Sequence, residues 1–241
     1  LNIGVGAHVP HAAGVAWAAE QRGEGEVVCC YFGEGATSEG DFHEGMNFAG
    51  VFDLPVIYFC NNNGWAISVP RDRQTASETI AVKADAYGIE GVRVDGMDPL
   101  AVYQVTRRAR EKAADPPEGA RRPTFIEAVQ YRFGAHTTAD DPSAYRDEAE
   151  VEAWRRYDPI PRFEGFLRDR GLLDDEAVSA IEDEVAETVS AAVERAEAME
   201  ADPDDIFDYT FEELPPELVE QREYLRSLRR AHGDESLIES E

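Results

Sequence analysis

Residues 26–32 form an almost unbroken apolar run, with Gly25 before it and Gly33 immediately after. The run is too short for an ordinary helix and rich in β-branched and aromatic side chains, so it reads as a strand buried on both faces. A strand of that kind needs helices above and below it, which is the environment of a parallel sheet. The rest of the region from about residue 8 to 134 repeats the alternation. Helical patterns are expected over residues 9–20, 39–51, 77–87 and 99–114, the last beginning at Pro99 behind a capping Asp98. Further strands are expected over residues 56–60, 91–94 and 124–130. The implied fold class is α/β, a parallel sheet flanked by helices.

After residue 134 the character changes to a loop rich in Thr, Ala, Asp and Ser, and then to helices alone. Val178, Ile181, Val185, Val189 and Val193 recur at intervals of three and four and draw one apolar stripe, expected to pack on the sheet domain or on another subunit. A last helix is expected over residues 215–230, with a mobile acidic tail after His232. The expected division is therefore an α/β domain over residues 1–146 and a helical extension with an acidic tail over residues 147–241.

The chain carries 50 acidic and 23 basic side chains, a net charge of −27. Such a surface repels phosphate backbones and anionic headgroups, which sets aside nucleic acid and membrane surfaces as partners. Among the basic residues only Lys83 and Lys112 are lysine. Arginine-biased cations beside a large carboxylate excess suit a cytoplasm of very high salt, where screening removes self-repulsion. Cys29, Cys30 and Cys60 give neither a disulfide framework nor metal-ligand spacing and read as small buried hydrophobes in a reducing, cytoplasmic compartment. No apolar stretch approaches the roughly 20 residues of a membrane span. The sequence opens at Leu1 without an initiating methionine, and a trimmed remainder of a longer polypeptide is expected.

The chemistry concentrates at two strand ends. The first strand runs into Gly33-Glu34-Gly35, and a glycine turn entering a helix offers free backbone N–H groups to an anion. It is neither a Walker A loop nor a complete dinucleotide fingerprint. Glu34 would repel a bare diphosphate, so it fits better as a ligand to a divalent cation that bridges carboxylate and phosphate oxygens. The next strand ends in Asn61-Asn62-Asn63-Gly64-Trp65, with 26 residues between Gly35 and Asn62. Consecutive strand ends are neighbours, so an amide oxygen and a carbonyl from this turn can complete an oxygen shell suited to magnesium.

These motifs resemble the thiamine diphosphate signature, Gly-Asp-Gly followed by paired asparagines. The text from Gly35 to Gly45, Asn63 to Val69, Val94 to Val102 and Tyr131 to Asp141 resembles the alpha subunit of the decarboxylating component of 2-oxo acid dehydrogenase complexes. Asp140 to Arg146 and Asp158 to Phe163 resemble the branched-chain (2-oxoisovalerate) members, which also share glutamate at the position of Glu34. The resemblance runs from about Gly6 to Arg222, without the family's amino-terminal segment and the diphosphate contacts found there. It implies the side chains of Glu34 and Asn63 and the carbonyl of Trp65 as magnesium ligands, and Gly33, Gly35 and Ala36 at the diphosphate. It implies Ile67 beneath the bent cofactor and His136 as the residue that reaches the cofactor and aids acyl transfer to a lipoyl arm. Arg132, Asp140, Tyr145 and Arg146 are implied to order the active-site loop. Asn61 departs from relatives that place an arginine against the diphosphate, and Thr137 stands where animal relatives carry a phosphorylated serine.

The implied partners are a beta subunit in a heterotetramer of two alpha and two beta chains, a lipoyl acyltransferase core and a 2-oxo acid. Two alternatives stand beside this reading: an alpha subunit for pyruvate or acetoin, and a non-catalytic acidic interaction subunit with a vestigial motif. His8 and His11 lie one helical turn apart without a third ligand in view and are read as structural or interfacial. Asp95 and Asp98 are read as capping a strand-to-helix turn.

Overall fold

A computed structural model describes residues 4–200, 202–234 and 236. The expectations for Leu1 to Ile3 and for most of the tail after His232 lie outside the described residues. The chain divides into two compact units, Leu1–Leu173 and Asp174–Glu241.

In the first unit helix α1 (His8–Arg22) leads to β1 (Val28–Gly33), α2 (Gly40–Phe52) and β2 (Val56–Asn62). A short antiparallel hairpin, β3 (Trp65–Ala66) with β4 (Val69–Pro70), follows, then β5 (Glu90–Asp95), α3 (Pro99–Ala114) and β6 (Thr124–Val129). The long strands form one parallel sheet in the order β1-β2-β6-β5. From β2 the chain passes over one strand position to lay β5 at the far edge, and α3 brings it back to insert β6 between them. Register pairs Gly33 with Asn61 and Val129 with both Asn62 and Asp95, so all four carboxyl ends line up along one edge. This is the edge where parallel α/β sheets build their sites.

One sheet face is covered by α1, α2 and the segment after residue 80, around Phe32, Phe42, Met46, Tyr58, Ile80 and Phe125. The other is covered by α3, whose Val102, Val105 and Ala109 meet Ile57, Phe59, Ile126 and Ala128. Helix α3 spans β2, β6 and β5 and leaves β1 bare on that side. Strand β1 is therefore buried on one face only, which corrects the expectation of two: it is an edge strand, Tyr31 is 58% exposed, and Cys29 is exposed where a buried hydrophobe was expected. Cys30 and Cys60 are buried as expected.

The expected helix over 77–87 is a 3₁₀ turn confined to Ala81–Tyr87. The backbone N–H of Ala81 is held by the Glu127 carboxylate at 2.9 Å, and a Cβ on Gly91 would stand 2.4 Å from the Ala81 carbonyl oxygen, so the segment is wedged too tightly for a wider helix. Helix α3 begins as expected: the Asp98 carboxylate accepts from the N–H groups of Leu100 (2.9 Å) and Ala101 (3.1 Å). Asp95 instead accepts from the N–H of Met97 and pairs with Arg162 at 3.1 Å.

The compact division at residue 173 falls beyond the expected domain boundary at 146. Helices α4 (Glu148–Arg155) and α5 (Pro159–Asp169) stay with the sheet, because Trp154 stacks on Tyr131 at 5.1 Å and Arg162 reaches Asp95 and the Met97 carbonyl. The second unit comprises α6 (Asp175–Glu197), α7 (Asp205–Asp208) and α8 (Pro216–His232). Arg222 pairs with Asp208 at 3.0 Å and Arg226 with Asp204, tying α8 to the α7 segment. The five-residue apolar stripe falls on the single helix α6. Among the described residues no helix is long and apolar enough to cross a membrane.

Candidate active site

At the end of β1 the backbone enters a 3₁₀ turn, Glu34–Ser38, before α2 begins at Gly40. The turn is closed by the Thr37 hydroxyl donating to the Glu34 carbonyl at 2.8 Å. Lys83 donates to the Thr37 carbonyl and hydroxyl, both at 2.9 Å, and holds the turn from behind. The two glycines differ in kind. A Cβ on Gly35 would lie 2.9 Å from the Ala66 Cβ, so the hairpin packs directly against it. Gly33 has an ordinary extended backbone (φ −80°, ψ 160°), and a Cβ there would meet nothing within 4 Å. Among the described residues nothing requires glycine at 33; the open space in front of it suits an external group approaching the backbone. Ala36 is buried beneath the turn.

Glu34 is 1% exposed, and among the described residues its carboxylate accepts only from neutral donors: the N–H of Asn63 (3.3 Å) and, at a long 3.4 Å, the side-chain amide of Gln74. A buried carboxylate without a positive partner is costly unless a cation completes it. The asparagine turn lies beside it. The Asn62 side-chain oxygen accepts from the N–H of Gly64 at 3.2 Å, and that of Asn63 accepts from the N–H of Trp65 at 3.1 Å. Gly64 sits at φ +85°, a conformation glycine adopts without penalty. A carboxylate, a side-chain amide oxygen and a backbone carbonyl form a set of hard oxygen donors of the kind that binds magnesium or calcium. No group of three His, Cys, Asp or Glu residues that could hold a metal occurs among the described residues.

The hairpin presents Ile67, 55% exposed and at φ +55°, an uncommon backbone for a β-branched residue. Its carbonyl accepts from Arg132 Nη2 at 2.7 Å. Arg132 is the hub of the loop after β6. It donates to the Tyr145 hydroxyl (3.0 Å), to His136 Nδ1 (3.3 Å) and, weakly at 3.4 Å, to the Trp65 carbonyl. Because arginine only donates, His136 Nδ1 accepts and the ring proton is assigned to Nε2. Asp140 Oδ2 accepts from the His136 N–H (2.7 Å) and the Tyr145 hydroxyl (2.6 Å), and these bonds hold its carboxyl below the usual carboxylate range, the histidine N–H contributing most. Arg146 donates to the carbonyls of Arg132, Phe133 and Gly134. The four residues expected to order the loop thus converge on it, and His136 hangs from that frame.

A cavity of about 470 Å³ adjoins the asparagine turn, lined by Asn63, Trp65, Arg71, Glu127, Gln130 and Tyr131. A larger hollow of about 700 Å³ lies at the opposite, amino-terminal ends of β5 and β6, away from the motifs. Three residues at the site escaped the sequence reading: Gln74 and Lys83, which contact the glycine turn, and Glu127, which contacts the asparagine turn. Lys83 alone had a signal, being one of two lysines in an arginine-biased chain.

The family model described as the dehydrogenase E1 component matches residues 1–203, and the chain belongs to that family. It is 45% identical over 232 residues to a 3-methyl-2-oxobutanoate dehydrogenase subunit alpha of Mycobacterium tuberculosis, an alignment covering 94% of this chain and 61% of that protein. It is 42% identical over 224 residues to a pyruvate dehydrogenase E1 component subunit alpha of Staphylococcus aureus, covering 92% and 60%. It is also 42% identical over 228 residues to the mitochondrial 2-oxoisovalerate dehydrogenase subunit alpha of Bos taurus, covering 94% and 49%. The chain therefore spans about half to three-fifths of the length of these relatives.

Proposed function

We propose that this chain acts as the alpha subunit of a 2-oxo acid dehydrogenase, decarboxylating a branched-chain 2-oxo acid and passing the acyl group to lipoyl-lysine. The observation that carries the reading is the buried Glu34 carboxylate at the end of β1, bonded to the asparagine turn and, among the described residues, given no cationic partner. Similarity to both branched-chain and pyruvate relatives supports the reaction class; the Glu34 exchange and the 45% identity favour the branched-chain substrate.

Thiamine diphosphate supplies, when bound, the nucleophilic carbon and the electron sink for loss of CO2. The Glu34 carboxylate, the Asn63 side-chain oxygen and the Trp65 carbonyl would hold magnesium. Gly33, Gly35 and Ala36 would offer their backbone to the diphosphate. Ile67, exposed on the hairpin at a positive φ, would support the cofactor. Arg132 occupies His136 Nδ1, which leaves the Nε2 proton available to the site. Asp140, Tyr145 and Arg146 fix the loop so that this proton is delivered at one place. A beta chain contributes the carboxylate that activates the cofactor, so activity requires a heterotetramer docked on a lipoyl acyltransferase core. The location is cytoplasmic.

Calorimetry of thiamine diphosphate binding with and without Mg²⁺, on the chain with its beta-type partner in molar KCl, tests the reading. Binding is expected only with metal and partner together. Glu34→Ala is expected to lose metal and cofactor jointly, by more than the roughly 10–100-fold typical of outer-sphere partners. His136→Ala is expected to keep cofactor binding and lose acyl transfer. No binding with the partner present would put the acidic interaction subunit in first place, and equal loss of both steps in the histidine variant would reassign that residue.

A further inference from the structure

A second fully buried carboxylate lies behind the asparagine turn, and neither the resemblance nor the proposed mechanism uses it. Glu127, in the middle of the sheet on β6, is 1% exposed. Its Oε1 accepts from the Asn62 side-chain amide at 2.7 Å, and its Oε2 accepts from the backbone N–H of Ala81 at 2.9 Å. Both donors are neutral. Glu127 and Glu34 are close enough to the Cys60 thiol that, after burial itself, their charges are what hold that thiol well above its usual range.

The Asn62 amide has two faces of opposite character, and the turn needs one of them. Its oxygen accepts from the Gly64 N–H at 3.2 Å, while its backbone carbonyl is fixed by the Gln130 N–H at 2.7 Å. If the amide rotated by half a turn, its NH2 would oppose the Gly64 N–H and the loop through Gly64 would open. A hydroxyl or amide at 127 could tolerate either face; with both carboxylate oxygens of Glu127 accepting, one from Asn62 and one from the Ala81 N–H, the contact admits the NH2 alone. That single orientation sets the path of the chain through Asn63 and Trp65.

We propose that Glu127 is a positioning residue for the metal-binding turn: its carboxylate locks the Asn62 amide, and through Gly64 it fixes where the Asn63 oxygen and the Trp65 carbonyl point. The inference rests on the reading that these two oxygens are metal ligands. Glu127 itself lies behind the turn, in hydrogen-bond contact with Asn62 and not with any assigned ligand group. It also ties the 3₁₀ turn at Ala81 to the same point, so one carboxylate joins the turn after β2 to the segment that brings in Lys83.

The chain with its co-purified partner is compared as wild type, Glu127→Gln, the exchange pair Asn62→Asp with Glu127→Gln, and Glu34→Gln. Metal affinity is read with Mn²⁺ by paramagnetic resonance in the presence of thiamine diphosphate, and hydrogen exchange is read at the Gly64 and Ala81 amides. Glu127→Gln is expected to weaken Mn²⁺ binding about tenfold, in the range of other outer-sphere partners, and to speed exchange at Gly64. The exchange pair reverses donor and acceptor across the same contact and is expected to restore both readings. Unchanged Mn²⁺ affinity and Gly64 exchange in Glu127→Gln, a response at Ala81 alone, or no recovery in the exchange pair overturns the proposal. If the single variant does not fold, recovery of folding by the exchange pair supports the contact and its absence overturns it. Undiminished Mn²⁺ binding in Glu34→Gln sinks the metal assignment, and the Gly64 amide, which needs no metal, still decides the role of Glu127.

Discussion

Lys83 and Lys112 are the two lysines among 23 basic side chains, and each ammonium sits in a compact socket. Lys83 reaches two oxygens of Thr37; Lys112 reaches Glu90 Oε2 at 2.6 Å and the Pro123 carbonyl at 3.1 Å. A point charge with rotatable donors serves such converging oxygens, whereas a planar guanidinium needs acceptors laid out along its fork. The cysteines separate by environment in the same way. Burial pushes Cys30 up to about 11, helped by Cys29 beside it, and also holds Cys60 well above its usual range; Cys29 is raised less than Cys30 and lies on the bare face of β1. Titration of the folded isolated chain with a thiol reagent at about pH 9 is therefore expected to modify one cysteine, and unfolding to release all three.

Helix α2 shows how glycine fixes the approach of elements. A Cβ on Gly45 would stand 2.7 Å from the Pro10 nitrogen in α1, and one on Gly50 would stand 2.2 Å from the Tyr87 carbonyl oxygen. Both neighbours are backbone, so neither can yield cheaply. Gly50→Ala is expected to destabilise the first unit by about 1–3 kcal/mol through overpacking, read as a lowered urea midpoint. Gly50 lies far along α2 from the turn at Glu34, so the native fraction should keep its site. At this scale the sequence was legible where a local signal coincided with the outcome: α3 begins at Pro99 because Asp98 caps it and Pro99 suits the first turn. It was not legible at residues 77–87, where the Glu127 carboxylate and the close approach of Gly91 constrain Ala81 from two distant strands.

The whole molecule carries a net charge of −27, and most of the ion pairs among the described residues have at least one exposed partner, so each is worth little in isolation. Self-repulsion of that size is tolerable when the screening length falls to about 3 Å, as it does near 1 M salt. Dialysis from molar KCl into low salt is expected to lose the folded circular dichroism spectrum, and an unchanged spectrum would remove the high-salt interpretation of the composition.

The amino-acid sequence by itself determined the α/β class and the two turns that carry Glu34 and Asn63, because each depends on local spacing: strand, glycine turn and helix; the residues that frame His136 were implied by the family resemblance alone. Tertiary structure decided what depends on neighbours remote in the chain. Which face of β1 is covered follows from where α3 crosses the sheet. Where the first compact unit ends follows from Trp154 meeting Tyr131 and Arg162 meeting Asp95. Glu127 became legible only once β6 lay between β2 and β5, since a glutamate in an apolar strand has no assigned meaning until the topology sets Asn62 and Ala81 on either side of it. Hydrogen bonds across a sheet are chosen by strand order, and strand order is settled by the packing of the whole core.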